Sequence, residues 1–263
     1  MAAHFDLDIS DGVATISFNR QEKLNALTFD TYADLRDLLH ELPRRGDARV
    51  LVITGRGRGF SSGGDVEEII GALQHMSASE LLEFTRMTGA VVRALRECPL
   101  PVIAAVNGIA AGAGAVIALA SDFRLLAQSA TFSFLFTKVG LAGADMGSAY
   151  LLPRLVGIGR ATELLMFGDT IDADRADRLG IATAVVPDDQ LMDEAGKMAR
   201  RLTDGPAFAY STTKVLLTRE QDMDLGSAIE LEATTQALLM TSADHQEFYN
   251  AWSAGRDPQW TGR

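Results

Sequence analysis

A single cysteine, Cys98, occurs in the 263-residue chain. One thiol cannot build an internal disulfide framework, and a lone cysteine is ordinarily a small buried hydrophobe in a reducing compartment, so a cytoplasmic location is expected. Histidine is scarce too: His4, His40, His75 and His245 are scattered without metal-ligand spacing, and no metal site is expected. The opening residues, MAAHFDLDISDG, lack the basic start and apolar stretch of a secretory signal. Long apolar runs are missing as well. The one at 109–120 is glycine-rich and shorter than the ~20 residues a membrane helix needs, so no membrane partner is expected. Positive charge is in deficit, with 24 Lys and Arg against 35 Asp and Glu and a net charge of −11. That balance argues against nucleic acid as a partner and leaves room for a local basic patch facing one small anion.

Apolar material is plentiful: 47% hydrophobic and 22% charged residues suit one compact unit, or one unit with an appendage. Residues 5–20 alternate apolar and polar and predict a β-hairpin turning at Asp11-Gly12. Leu35, Leu38, Leu39 and Leu42 share one helical face after Thr28, and RVLVITG (49–55) reads as a buried strand. GRGRGFSSGGD (55–65) reads as a long glycine loop. A helix follows from about Val66 and another over 80–96, where Leu81, Phe84, Thr88, Val91 and Leu95 are in register. PVIAAV (101–106), FRLLA (123–127), TFSFLF (131–136) and ATAVVP (182–187) read as further strands. GLAGADMGS is a loop leading into a helix in SAYLLPRLVG, and 160–167 and 174–179 read as helices. From 188 onward the signal is helical only, over 188–203, 206–219 and 224–252. The expected organisation is an α/β core over 1–203 and a helical region over 204–263.

Residues 112–117, GAGAVI, begin like a dinucleotide fingerprint but end on Ile117 instead of glycine, and no phosphate-cradling G-x-x-x-x-G-K-[ST] run occurs. GFSSG (59–63) matches the nucleophile elbow of α/β-hydrolases, yet Ser61 lies several residues past its strand instead of on a tight strand-to-helix turn. The glycines suit another role. The loops at 55–65 and 107–113 each follow a buried strand and lead into a helix. Either they are ordinary surface loops, or they present backbone N–H groups at helix starts. Two such donors converging would make an oxyanion hole for the enolate of a thioester.

NRQEKLNAL (19–27), GFSSGGD (59–65), VNGIAAGAGAVIALASD (106–122) and the C-terminal DPQWTG (257–262), in this order, resemble the landmarks of the enoyl-CoA hydratase/isomerase family, the crotonase superfamily. The resemblance spans nearly the whole chain. It implies an α/β fold built as a crotonase-like spiral of ββα units with a helical C-terminal trimerisation region. It also implies an acyl-CoA thioester as partner and a homotrimer or dimer of trimers. Coenzyme A would enter as part of the substrate, with no tightly bound cofactor. Carried over by position, the resemblance puts two oxyanion donors at the Ser62 and Ala113 amides, with Gly63, Gly64 and Gly112 beside the substrate; Ala113 stands where glycine is common in the family. Asp65 is expected to order its loop, and Arg20, Lys23 and Arg58 either meet the phosphates of CoA or are solvated charges.

The same resemblance marks a departure. Family hydratases hold a water between two glutamates, and those places fall here at Val116 and Phe136, apolar side chains that can neither aim water nor deliver a proton. Phe136 becomes a candidate for the acyl pocket. One carboxylate remains, Asp145 in GLAGADMGSAY, which resembles the acidic residue that family isomerases carry in this loop, with a single-residue offset. It is either the base of a 1,3-isomerisation or the N-cap of a helix starting near Met146 or Gly147. Its sequence neighbours Phe132, Phe134, Phe136, Met146 and Tyr150 suggest an apolar pocket. Enoyl-CoA double-bond isomerisation with Asp145 as base is the favoured reaction. The alternatives are hydration by an unusual arrangement, acyl-CoA hydrolysis or C–C cleavage through the same enolate, and a non-catalytic acyl-CoA-binding homologue.

Overall fold

The computed structural model describes residues 4–262. Its first element is the expected hairpin: β1 (Phe5–Ser10) and β2 (Val13–Phe18) pair antiparallel. Asp11 and Gly12 take φ of 51° and 77°, the double positive φ that a tight two-residue turn requires. The strands β3 (Val50–Gly55), β5 (Val102–Val106), β7 (Phe123–Ala127) and β10 (Ala184–Val186) extend this sheet in parallel, in the order β1-β2-β3-β5-β7-β10. Parallel strands need cover on both faces, and β3 and β5 are buried at every residue.

A second sheet of short strands runs β4 (Gly59–Ser61), β6 (Ile109–Ala111), β8 (Thr131–Ser133) and β9 (Ile171–Asp172). In three successive passes the chain makes a strand of the large sheet, a strand of the small one and then helix. After β4 come one wide turn (Val66–Ile70), α2 (Gly71–Leu73) and α3 (Ala78–Glu97); after β6 comes α4 (Ala113–Ala120); after β8 come α5 (Ser148–Val156) and α6 (Ile158–Phe167). This is the ββα spiral.

The small sheet corrects three expectations. The glycine loop at 55–65 contains a strand, because β4 pairs with β6 some fifty residues later, a partner that local pattern cannot reveal. TFSFLF is strand only as far as Ser133, whose carbonyl accepts from the Gly112 amide at 2.8 Å; the chain then bends into a 3-10 turn, Leu135–Val139. Strand β9, two residues long, gives no sequence signal of its own.

Helix α1 (Phe29–Arg45) opens with a capping box between Thr28 and Thr31 and closes on Gly46 at φ 73°, burying Tyr32, Leu35, Leu39 and Leu42. It packs on α3, which buries Thr88, Val91, Val92 and Leu95. α4 is buried at all of its positions. That surrounds residues 113–120 with core on every side, and accounts for the absence of any ionisable group before Asp122.

α7 (Ala173–Arg178) precedes β10, and α8 (Leu191–Thr203) lies against β3, β5 and β7. α9 (Ala207–Arg219), α10 (Leu225–Leu239) and α11 (Ala243–Ala254) follow; the helical pattern over 224–252 is two helices, because Ser242 caps the His245 amide and restarts the chain. α9 is pinned by Lys214, whose Nζ meets Asp122 at 2.7 Å and the Leu100 carbonyl at 2.9 Å. The DPQWTG segment folds back onto α11, where the buried Asp244 carboxylate accepts from the amides of Thr261 and Gly262. Among the described residues no helix is long and apolar enough to cross a membrane.

Candidate active site

The NRQEKLNAL segment is a template for the first glycine loop. Leu24 and Asn25 hold left-handed conformations, with φ of 51° and 57°. Asn25 Nδ2 then donates to the carbonyls of Arg56 and Gly59, and the Asn25 carbonyl accepts from Ser61 Oγ. The Leu24 carbonyl accepts from the Ser62 amide at 2.9 Å, and Leu27 bridges the loop by donating to Gly63 and accepting from Asp65, both at 2.8 Å. The Gly63 amide donates to Ser61 Oγ at 3.2 Å. Of the amides from Ser62 to Asp65, only that of Gly64 has no acceptor among the described residues. The Ser62 amide, expected as an oxyanion donor, is taken by Leu24, and the free amide of this loop is that of Gly64, two positions on. Ser62 N–H is committed to Leu24, in a register set by a segment nearly forty residues earlier.

The second loop supplies Ala113. Gly112 adopts φ 51°, ψ −122°, a conformation open to glycine, and turns the chain from β6 directly into α4. Ala113 is the first residue of that helix, and no described residue accepts its amide hydrogen. The two loops touch: a methyl group built on Gly63 would lie 3.3 Å from the Ala113 nitrogen and 2.9 Å from the Ala111 carbonyl oxygen. Gly64 and Ala113, whose amides are unpaired among the described residues, both line one cavity of about 560 Å³ whose wall also includes Lys23, Ser62, Gly63, Asp65 and Gly112. That volume suits a small-molecule substrate.

Across the cavity stand Phe136, Met146 and Asp145. Asp145 does not cap α5: the helix begins at Ser148 with Gly147 before it, and among the described residues the carboxylate accepts only from the adjacent Met146 amide, at 2.8 Å. Met146 holds φ 51°, a costly conformation for a long side chain and a mark of a loop held in place by its surroundings. Burial pushes the Asp145 pKa above the usual carboxylate range, and the Met146 amide only partly offsets it.

The other carboxylates of the wall are matched by cations. Asp65 is buried, accepts from the Glu67 and Glu68 amides, and meets Arg20 at 3.0 Å and Lys23 at 3.2 Å. Burial works against its charge, but these partners outweigh it and pull its pKa down to about 2. Lys23 also meets Glu67 at 2.7 Å. Arg20 is thereby a brace of the loop, donating in addition to Glu68 and the Ala26 carbonyl. Arg58 is exposed and outside the cavity wall, and Val116 is fully buried in α4, also outside it. Among the described residues no group of three or more His, Cys, Asp or Glu side chains is arranged to hold a metal ion.

A ββα spiral in which two loops with unpaired amides line one apolar cavity defines the class: a crotonase-fold protein. The sequence matches the family described as enoyl-CoA hydratase/isomerase over residues 8–263. It is 36% identical over 255 residues to the 1,2-epoxyphenylacetyl-CoA isomerase of Escherichia coli K12, covering 97% of each chain. A probable enoyl-CoA hydratase of Rhodobacter capsulatus is 39% identical over 256 residues, with the same coverage. A crystal structure from Streptomyces coelicolor A3(2), of a protein provisionally called an enoyl-CoA hydratase, superposes with a TM-score of 0.98 at 58% identity, covering 100% of this chain and 96% of that one. The chain belongs to the enoyl-CoA hydratase/isomerase family of the crotonase superfamily, and it is an enzyme of that family.

Proposed function

We propose that the protein isomerises the double bond of an enoyl-CoA, with Asp145 as the single base and the Gly64 and Ala113 amides holding the thioester oxygen. The observation that carries this reading is that, of the three carboxylates in the cavity wall, Asp145 alone has no cation beside it. In a 3-enoyl thioester Asp145 takes a proton from C2. The electron pair moves onto the thioester oxygen, where two preorganised N–H donors receive the charge. The protonated Asp145 then returns the proton to C4, leaving the double bond between C2 and C3. Burial makes Asp145 a stronger base than a solvated carboxylate, and the apolar wall keeps water from quenching the dienolate.

The test is turnover of matched 2-enoyl-CoA and 3-enoyl-CoA substrates by wild type and Asp145→Asn, with products separated by mass and retention time. The expected result is interconversion that falls by about 10²–10⁴ in the variant, the usual worth of a positioned base. Hydroxyacyl-CoA formed equally by both proteins would sink the proposal in favour of hydration, the activity in the name of the Rhodobacter relative. Free CoA or a shortened acyl chain would mark hydrolysis or C–C cleavage, and binding without turnover a non-catalytic homologue. The same reading includes a cytoplasmic homotrimer or dimer of trimers with 204–263 as its oligomerisation region. It is supported by apolar side chains left exposed there, among them Leu225, Leu238, Phe248 and Trp252. Light scattering on the purified protein checks it, and a monomer at micromolar concentration would rule it out.

A further inference from the structure

Tyr32 brings to the cavity a polar atom that no other described residue claims. Of the other polar side chains of the wall, Ser62 Oγ donates to the Lys23 carbonyl, Thr88 Oγ1 to the Thr85 carbonyl, Lys23, Asp65 and Glu67 form ion pairs, and Asp145 accepts from the Met146 amide. Among the described residues, the Tyr32 hydroxyl has no hydrogen-bond partner, although the side chain is only 2% exposed. Its ring is held edge-on by Phe84, at 6.2 Å between centroids, and Phe84 is held in turn by Phe29 at 5.1 Å. The hydroxyl oxygen lies 3.9 Å from where a Cβ on Gly64 would be, beside one of the two unpaired amides. Burial, and after it the charge of Asp145, push the phenol well above its ordinary pKa, so it is a neutral donor at any working pH.

We propose that Tyr32 is a specificity-determining residue that donates its O–H to an oxygen carried on the acyl chain close to the thioester, making the substrate class an oxygen-bearing acyl-CoA (hydroxy, oxo or epoxy) instead of a plain hydrocarbon one. This rests on the acyl-CoA reading above. In the free enzyme water serves the hydroxyl. A hydrocarbon chain filling the cavity strips that water and leaves a buried donor unpaired, which weakens binding, whereas an acceptor oxygen on the chain replaces it. Phenylalanine would fill the same space against Phe84 without that cost, so the hydroxyl is the feature that selects.

Calorimetric titration of wild type and Tyr32→Phe with free CoA, butyryl-CoA, 3-hydroxybutyryl-CoA and 4-hydroxybutyryl-CoA tests this. Wild type is expected to hold at least one hydroxy thioester about tenfold more tightly than butyryl-CoA, and Tyr32→Phe to hold the same pair within about twofold. Equal affinities in wild type, or tighter butyryl-CoA, overturn the proposal without reference to the variant. So does a preference that survives in Tyr32→Phe. Failure of the underlying reading looks different: no thioester then binds more tightly than CoA itself to either protein, and the inference falls with it.

Discussion

A methyl group on Gly63 separates the contact between the two glycine loops from the rest of the fold. Gly63 has φ 94°, and its added Cβ would lie 2.9 Å from the Ala111 carbonyl oxygen and 3.3 Å from the Ala113 nitrogen. The left-handed backbone costs a non-glycine residue about 1–2 kcal/mol. The contact with Ala111 cannot be relieved by turning a side chain, since the atom struck is backbone; the loops must part by a few tenths of an ångström. Together these amount to about 2–3 kcal/mol, which for a chain of this size lowers Tm by roughly 4–12 °C. Catalysis is more exposed than stability, because the gap opens between the donors: losing one oxyanion donor costs about 10²–10³ in kcat. Gly63→Ala is therefore expected to melt several degrees lower and to lose kcat by up to about 10²–10³, the worth of one displaced donor. Thermal denaturation and steady-state turnover of the enoyl-CoA pair measure both. A variant that melts lower yet keeps full kcat would refute the reasoning, since the loops would then touch without delivering their amides to the reacting oxygen.

Three further outcomes follow from charges in and around the site. An unfolded aspartate ionises near 3.9 and folded Asp145 ionises higher, so the fold carries a penalty above the folded value that is absent below the unfolded one. Asp145→Asn should melt above wild type at pH 7, with the two curves converging as pH falls toward 4, while wild-type turnover rises with pH through the raised pKa; parallel melting curves at every pH would contradict this. Asp65 runs the other way: with its pKa held down to about 2, its contribution is present above the unfolded value and lost as pH falls toward 2. Arg20→Met, which removes a partner from a buried carboxylate, should cost about 2–4 kcal/mol in urea unfolding and move acid unfolding to higher pH. Lys214→Met leaves the Asp122 carboxylate with the Val102 amide at 2.8 Å and Arg96, at 3.4 Å, as its one remaining cation among the described residues, and frees the Leu100 carbonyl; it is expected to loosen α9 by a similar about 2–4 kcal/mol, read as faster proteolysis between α8 and α9.

Legibility followed the range of the interactions concerned. The hairpin at Asp11-Gly12, the Thr28 cap and the buried faces of α1 and α3 rest on neighbours a few residues apart, and their patterns are visible in the chain. That the Ala113 amide stays unpaired was legible for a related reason: Gly112 and the apolar run after it mark a helix start whose first amides have no partner within the helix. Gly64 was missed because the neighbouring amides are claimed from outside the loop, by Leu24 and Leu27. The pairing of NRQEKLNAL with GFSSGGD was the signal to follow, since a segment that saturates one side of a loop decides which amide is left over. Tyr32 was missed because, in the repeat of α1, it reads as one more apolar-face position.

The sequence by itself determined the alternation of strand and helix, the all-apolar character of α4, the absence of glutamate at 116 and 136, and the family, because these are properties of residue type and order. Only the tertiary structure decided which two amides stay unpaired, that Asp145 lines the cavity without a cation and does not cap α5, and that a tyrosine hydroxyl faces that same space. Each of those depends on which partner reaches a group first, and the partners come from segments far apart in the chain.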